Sequence, residues 1–130
     1  MKITGKFDVK LNPMECFAKG VDGSNLGRMS IDKIFNGELS AESKGEMLNV
    51  LTSVQGSAGY VAIEQVVGEL SGKKGSFVLQ HYGVMSKGNS ALTLEVVPDS
   101  GAGELVGLTG RMTIRVEEGQ HNYDFDYTQV

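Results

Sequence analysis

The residues best suited to chemistry in this chain are Glu64 and His81, which stand in two apolar segments separated by a short turn. If residues 60–70 and 75–85 form a hairpin around the loop Ser71–Lys74, the register places Glu64 directly opposite His81. A carboxylate beside an imidazole on an apolar face has shifted pKa values and can hold or transfer one proton. The pair is therefore the candidate catalytic site.

The same pair has a structural interpretation that the sequence leaves open. An ion pair or hydrogen bond between Glu64 and His81 would also satisfy two polar groups near the end of a barrel. A slip of one residue in the register would put the two side chains on opposite faces. In the functional interpretation, Tyr60 and Phe77 supply apolar wall on the same face. The predicted ligand-binding residues are thus Tyr60, Glu64, Phe77 and His81.

Other candidates for chemistry are weak. The two histidines, His81 and His121, show none of the spacings typical of a metal site, and we predict no metal. The glycine-rich run 100–107 has the spacing G-x-G-x-x-x-G and no Gly-Lys-Ser/Thr, so it predicts a turn and not a phosphate loop. No cofactor is predicted. Cys16 is the single cysteine, which excludes an intramolecular disulfide and predicts an inert thiol.

The elements that must position these residues read as β-strands. Residues 3–11 alternate apolar and polar with a period of two, as do residues 105–116 and 121–128, where Arg111 is predicted to pair with Asp126. Residues 46–54 fit a helical stripe or a strand, and the many β-branched residues and the missing helix cap favour the strand.

The hairpin 60–85 differs from the other strands because both of its faces are apolar. An antiparallel sheet with one face in water should alternate apolar with polar residues. We therefore expect one face to line a closed core and the other to be covered by a loop, a helix or another subunit. We predict that another subunit covers the outer face, so that the chain forms a homo-oligomer.

The tripeptide Gly-Glu-Leu occurs three times, at Gly37–Leu39, Gly68–Leu70 and Gly103–Leu105. Each copy lies near a turn cluster and is followed by a further apolar segment, a rhythm typical of antiparallel β-structure. With seven or eight strands and short turns, the chain predicts an all-β protein, a small closed antiparallel β-barrel of about eight strands with up-and-down order. Residues 1–130 form a single domain.

Composition limits the partners. The net charge of −4 and the scattered lysines and arginines argue against nucleic acid and against an anionic membrane. No run approaches the ~20 apolar residues of a membrane span, and residues 1–6 lack the apolar core of a signal peptide. These features predict a cytoplasmic protein.

Three motifs resemble a bacterial family, domain-of-unknown-function family 3224: Ser100–Gly110, Gly75–His81 and Gly37–Leu39. The resemblance covers most of the chain from Leu26 onward. The family in turn looks similar to the allene oxide cyclase-type barrel, a small, closed, antiparallel β-barrel. The resemblance thus implies the fold, and the family has no assigned activity to carry over.

The chain departs from the family pattern at three positions. Ala102 stands where the family favours threonine, Glu38 where it favours aspartate and Ala41 where it favours glycine. Plant allene oxide cyclases isomerise an oxylipin epoxide inside their barrel, and extending that activity to this chain is an analogy of fold alone.

Two functions remain open from the sequence. The first is a barrel that binds a small apolar molecule, with isomerase or cyclase activity as an extension of that binding. The alternative is a non-catalytic oligomeric structural or interaction protein whose barrel is filled by its own side chains. An open interior cavity with convergent polar groups would favour the first, and a packed core would favour the second.

Overall fold

The structure, a computed structural model, describes residues 1–130, and all of its regular elements are β-strands. They are β1 (Lys2–Met14), β2 (Asn25–Gly37), β3 (Leu39–Leu51), β4 (Ala58–Leu70), β5 (Lys73–Ser86), β6 (Asn89–Val96), β7 (Ala102–Gly103), β8 (Leu108–Glu117) and β9 (Gln120–Gln129). No helix in the structure has the length and apolar character needed to cross a membrane.

Eight long strands close into an antiparallel barrel. Each pairs with its neighbour in chain order from β1 to β6, then β6 pairs with β8, β8 with β9, and β9 with β1. The two-residue β7 pairs with the start of β5 and lies outside this ring. The predicted closed antiparallel barrel is thus confirmed, and the ambiguous residues 46–54 lie largely within strand β3.

One end of the barrel is plugged by side chains. The leucines of the three Gly-Glu-Leu units, Leu39, Leu70 and Leu105, are each at most 2% exposed. They join a cluster that includes Phe35, Phe77 and several other aromatic residues. We call this the closed end, and the opposite end, where β3 leads into β4 and β5 into β6, the mouth.

The β4–β5 hairpin has a different register from the predicted one. Its turn has two residues, Ser71 and Gly72, both with positive φ, which is the conformation of a type I′ turn. Glu64 therefore pairs with Leu79, and His81 pairs with Ala62. The predicted direct pairing of Glu64 with His81 is wrong by two residues. Serine is an unusual first residue for this turn, so the sequence lacked the usual signal.

This register error of two residues does not change the face on which each side chain lies, because side chains alternate with a period of two. Glu64, His81 and Phe77 all point into the barrel and are buried. In the hairpin formed by β8 and β9, Arg111 pairs with Asp126 as predicted.

The outer surface of β3, β4 and β5 carries a strip of apolar side chains. Each is at least half exposed, and cross-strand pairing makes neighbours of several of them, such as Leu48 with Val61 and Val61 with Tyr82. We call it the outer strip; its members are Leu48, Val61, Ile63, Val67, Tyr82 and Val84.

The number of paired residues differs from one strand junction of the barrel to another. Strand β4 pairs with β5 along 13 residue pairs, whereas β6 and β8 share the single bridge between Glu95 and Arg111. We call the junction of β6 with β8 the seam.

Candidate functional site

A buried carboxylate stands at the centre of the candidate site. Glu64 is fully buried, and its two oxygens receive three hydrogen bonds from side chains on three other strands. Lys33 Nζ and His81 Nε2 each lie 2.8 Å from Oε2, and Ser43 Oγ lies 2.7 Å from Oε1. These bonds connect β2, β3, β4 and β5 inside the barrel.

A fourth hydrogen bond extends this network toward the mouth. The hydroxyl of Tyr60 lies 2.8 Å from His81 Nδ1, and the two rings meet edge to face with centroids 5.4 Å apart. The three bonds to Glu64 are buried, whereas the Tyr60–His81 bond is only partly buried. Tyr60 is therefore the end of the network nearest to the solvent.

The β-sheet register arranges these groups in successive layers of inward-facing residues. Tyr60 shares the outermost of these layers with Asn49, and His81 lies in the next layer beside Ala62. Glu64 follows one layer deeper, opposite Leu79. Lys33 and Ser43 pair with each other below it. Strand alternation thus produces a line of polar groups from the mouth to the core.

Glu64 remains ionised despite its burial. Burial alone would raise the pKa of this carboxyl, because a charge in an apolar interior is unfavourable. The hydrogen bond from His81, the charge of Lys33 and the hydrogen bonds from Lys33 and Ser43 oppose that effect and together lower the pKa to about 2. As a carboxylate, Glu64 accepts all three of its hydrogen bonds.

Lys33 contributes the positive charge that compensates Glu64. Its side chain is buried, and the ammonium makes one ion pair, with Glu64. The ammonium also lies 5.0 Å from the ring centroid of Phe7 and 5.8 Å from that of Phe35. Contacts of this kind stabilise a desolvated cation. The Lys33–Glu64 pair is electrically neutral as a unit.

The hydrogen positions follow from the carboxylate. Because Glu64 only accepts, His81 must carry a hydrogen on Nε2. Burial, and to a lesser extent the charge of Glu64, raises the pKa of Tyr60 to about 12, so the phenol is protonated. With a neutral imidazole, Tyr60 donates to Nδ1, and the sequence of donors runs from Tyr60 through His81 to Glu64.

Two glycines provide the space that the site needs. Gly45 pairs with Glu64, and a Cβ at Gly45 would overlap the carbonyl oxygen of Ile63 and lie 2.6 Å from Cα of Glu64. Gly83 pairs with Tyr60, and a Cβ there would lie 2.6 Å from the tyrosine ring. A side chain at either position would displace the network.

The mouth contains an open cavity of about 530 Å³. None of its 14 lining residues carries a charge, and three are methionines. Methionine side chains are flexible and polarisable, which suits an apolar ligand of irregular shape. The lining residues include Met29, Met47, Asn49, Ala58, Tyr60 and Met85. Tyr60 thus belongs both to the cavity wall and to the polar network.

The structure brings together three of the four predicted ligand-binding residues, Tyr60, Glu64 and His81, at hydrogen-bonding distance. Phe77 lies elsewhere. It is 1% exposed, stacks on Phe125 with centroids 6.1 Å apart and is not part of the mouth cavity wall.

Sequence reasoning missed Lys33 and Ser43 as members of the network. Lys33 gave a usable signal, because it is the single charged residue in phase with Met29, Ile31 and Phe35 on one face of its strand. A lysine on an otherwise apolar strand face indicates an acidic partner in the interior, because a buried charge is unfavourable unless it is paired. Ser43 gave no such signal, since a serine is common on either face of a strand.

Comparison with known proteins identifies a family and a close structural relative. The sequence profile described as "Protein of unknown function (DUF3224)" matches residues 3–127. The chain is also similar to a protein of unknown function from the DUF3224 family of Shewanella oneidensis MR-1, whose crystal structure has a resolution of 1.84 Å. The two share 62% identity and a TM-score of 0.97 over 100% of this chain and 98% of the other. No curated protein matches the chain.

Proposed function

We propose that this protein, which belongs to the DUF3224 family, binds a small, neutral, apolar molecule in the mouth of its barrel. The observation that carries the proposal is the junction of a charge-free cavity with a buried polar network at a single residue, Tyr60. Ligand sites in proteins are typically apolar cavities of ~300–1,000 Å³ with a few convergent polar groups.

Charge counting supports a neutral ligand. The cavity wall contains no charged side chain, and the buried Glu64 is already compensated by Lys33. A charged ligand would lose its hydration in the cavity without gaining an ion pair. The polar side chains among the lining residues are those of Tyr60, Asn49 and Ser90.

The proposal is tested by filling the cavity. Ala58 lines the rim, so Ala58→Phe should occupy part of the mouth. The matched control is Ser40→Phe, on the outer surface near the closed end. Native mass spectrometry of protein purified from its own host should find a bound molecule in wild type and in Ser40→Phe, but not in Ala58→Phe. Nile red, a neutral apolar dye, should follow the same pattern. Absence of both from wild type would refute the proposal.

An isomerase or cyclase activity would use the same network. A proton leaving the bound molecule would pass to the Tyr60 oxygen while Tyr60 passes its own hydrogen to His81 Nδ1. The positive charge of the imidazolium formed would be balanced by the negative charge left on the ligand, and the reverse steps would return a proton to a different atom of the ligand. The test is deuterium exchange from D₂O into carbon-bound positions of the recovered ligand. Wild type should accelerate the exchange, and Tyr60→Phe should not.

We propose self-association as a second, non-catalytic function, which the outer strip favours. Exposed apolar patches of several hundred Å² commonly mark protein–protein interfaces. The occupant that we propose is a second copy of the chain. Light scattering at micromolar concentration should give a multiple of the 13.9 kDa chain mass, and Val61→Lys should reduce it. Thr113→Lys, on the outer face of β8, is the control. A monomeric mass for wild type would refute this proposal.

A further inference from the structure

We infer that the ligand of the mouth cavity donates a hydrogen bond to Tyr60, and that the site therefore selects a neutral alcohol, phenol or amide N–H over a ketone or ether. The inference rests on the proposed function, because it specifies the chemistry of the molecule that binds there. It follows from the direction of the hydrogen bonds along the network, which is fixed at its buried end.

The direction is set by the acceptors of Glu64. Oε2 accepts hydrogen bonds from Lys33 Nζ and His81 Nε2, both at 2.8 Å, and Oε1 accepts one from Ser43 Oγ at 2.7 Å. No donor hydrogen is available from an ionised carboxylate, so His81 must use its Nε2 hydrogen here. In a neutral imidazole the other nitrogen, Nδ1, can then only accept.

The neutral imidazole follows from the charges that surround it. The charged groups of the network are Lys33 from β2 and Glu64 from β4, while β3 contributes the neutral Ser43. His81 itself pairs with Leu94 on β6 and with Ala62 on β4. Lys33 already neutralises the carboxylate, and an imidazolium would add a second buried cation against one anion.

Tyr60 is consequently a donor toward the core and an acceptor toward the cavity. Its single hydrogen is directed to Nδ1 at 2.8 Å, which leaves an oxygen lone pair for the ligand. A ketone or ether would place its own lone pair against that oxygen. Asn49, the cross-strand partner of Tyr60, can donate as well as accept and so selects a polar group without fixing its direction.

The experiment compares two molecules with the same carbon skeleton, nonan-2-ol and nonan-2-one, as competitors of Nile red. The two molecules differ in solubility, so the ratio of their affinities for the Tyr60→Phe variant serves as the reference. Relative to that reference, wild type should favour the alcohol by about tenfold, which corresponds to one net hydrogen bond.

The outcomes separate the two proposals. The inference would be overturned if the ratio of alcohol to ketone affinity were the same in wild type and Tyr60→Phe, or if wild type preferred the ketone. The proposed function would still stand in that case, provided that Nile red binds wild type and that Ala58→Phe blocks its binding. Failure of Nile red to bind wild type would overturn both.

Discussion

Replacing Glu64 with glutamine should reveal how strongly the buried network stabilises the barrel. The substitution keeps the size of the side chain and removes its charge. Lys33 then lies buried beside Phe7 and Phe35 without a counter-ion, and His81 loses an ionic acceptor. We expect Glu64→Gln to lower the free energy of unfolding at neutral pH by at least about 3 kcal/mol.

The magnitude can be worked out from the ionisation of Glu64. Its pKa in the folded protein is about 2, against an ordinary value of 4.5. Since one pKa unit is worth about 1.4 kcal/mol, ionised Glu64 stabilises the fold by about 3 kcal/mol. Removing one member of a buried ion pair typically costs ~3–5 kcal/mol, which agrees with this value.

The same shift predicts a pH dependence with a definite sign. Because the pKa is lower in the folded state, the stabilisation is fully present above the unfolded pKa of 4.5 and is lost as the pH falls toward 2. Glu64→Gln lacks this titration. The difference in unfolding free energy between wild type and variant should therefore shrink by about 3 kcal/mol between neutral pH and pH 2.

The assay is urea denaturation of both proteins at a series of pH values. Glu42→Gln, which removes an exposed carboxylate from the outer face of β3, is the control and should follow wild type closely. A constant difference between wild type and Glu64→Gln from pH 6 to pH 3 would refute the assignment of a buried, ionised carboxylate.

Two further outcomes are expected. Gly45→Ala should cost about 3 kcal/mol or more in urea denaturation, because its Cβ would overlap the backbone of Ile63 and Glu64; wild-type stability would show that β3 and β4 can separate locally. In ultraviolet titration, Tyr60→Phe should remove a phenol that ionises at about pH 12, and an unchanged titration curve would contradict its burial.

Strand alternation made much of the barrel predictable from the sequence. The period of two assigned Glu64 and His81 to one face, and that assignment survived a register error of two residues because the error preserved the alternation. A one-residue error would have separated them. The Ser71-Gly72 turn could not be identified because its first residue lacks the usual preference for positive φ.

The candidate site was only partly predictable because its members come from separate strands. Local pairing could relate Glu64 to His81, which lie on adjacent strands of one hairpin. The contact of Lys33 with Glu64 crosses from β2 to β4 through the interior, and no spacing in the sequence encodes such a distance. The division of the barrel into a closed end and an open mouth likewise depends on how all the side chains fill the ring.

The seam has a consequence for the motions of the barrel. Partial opening of a folded protein starts where the fewest interactions must break, and a single bridge joins β6 to β8. Amide hydrogens near Glu95 and Arg111 should exchange with deuterated solvent sooner than those of β3 and β4, which the buried network also fastens together. Breathing at the seam would widen the mouth from the side while the half of the ring that holds Glu64 stays assembled. The rate at which molecules too large for the closed cavity bind would then be limited by this opening. At high ligand concentration, the observed binding rate would reach a plateau equal to the opening rate.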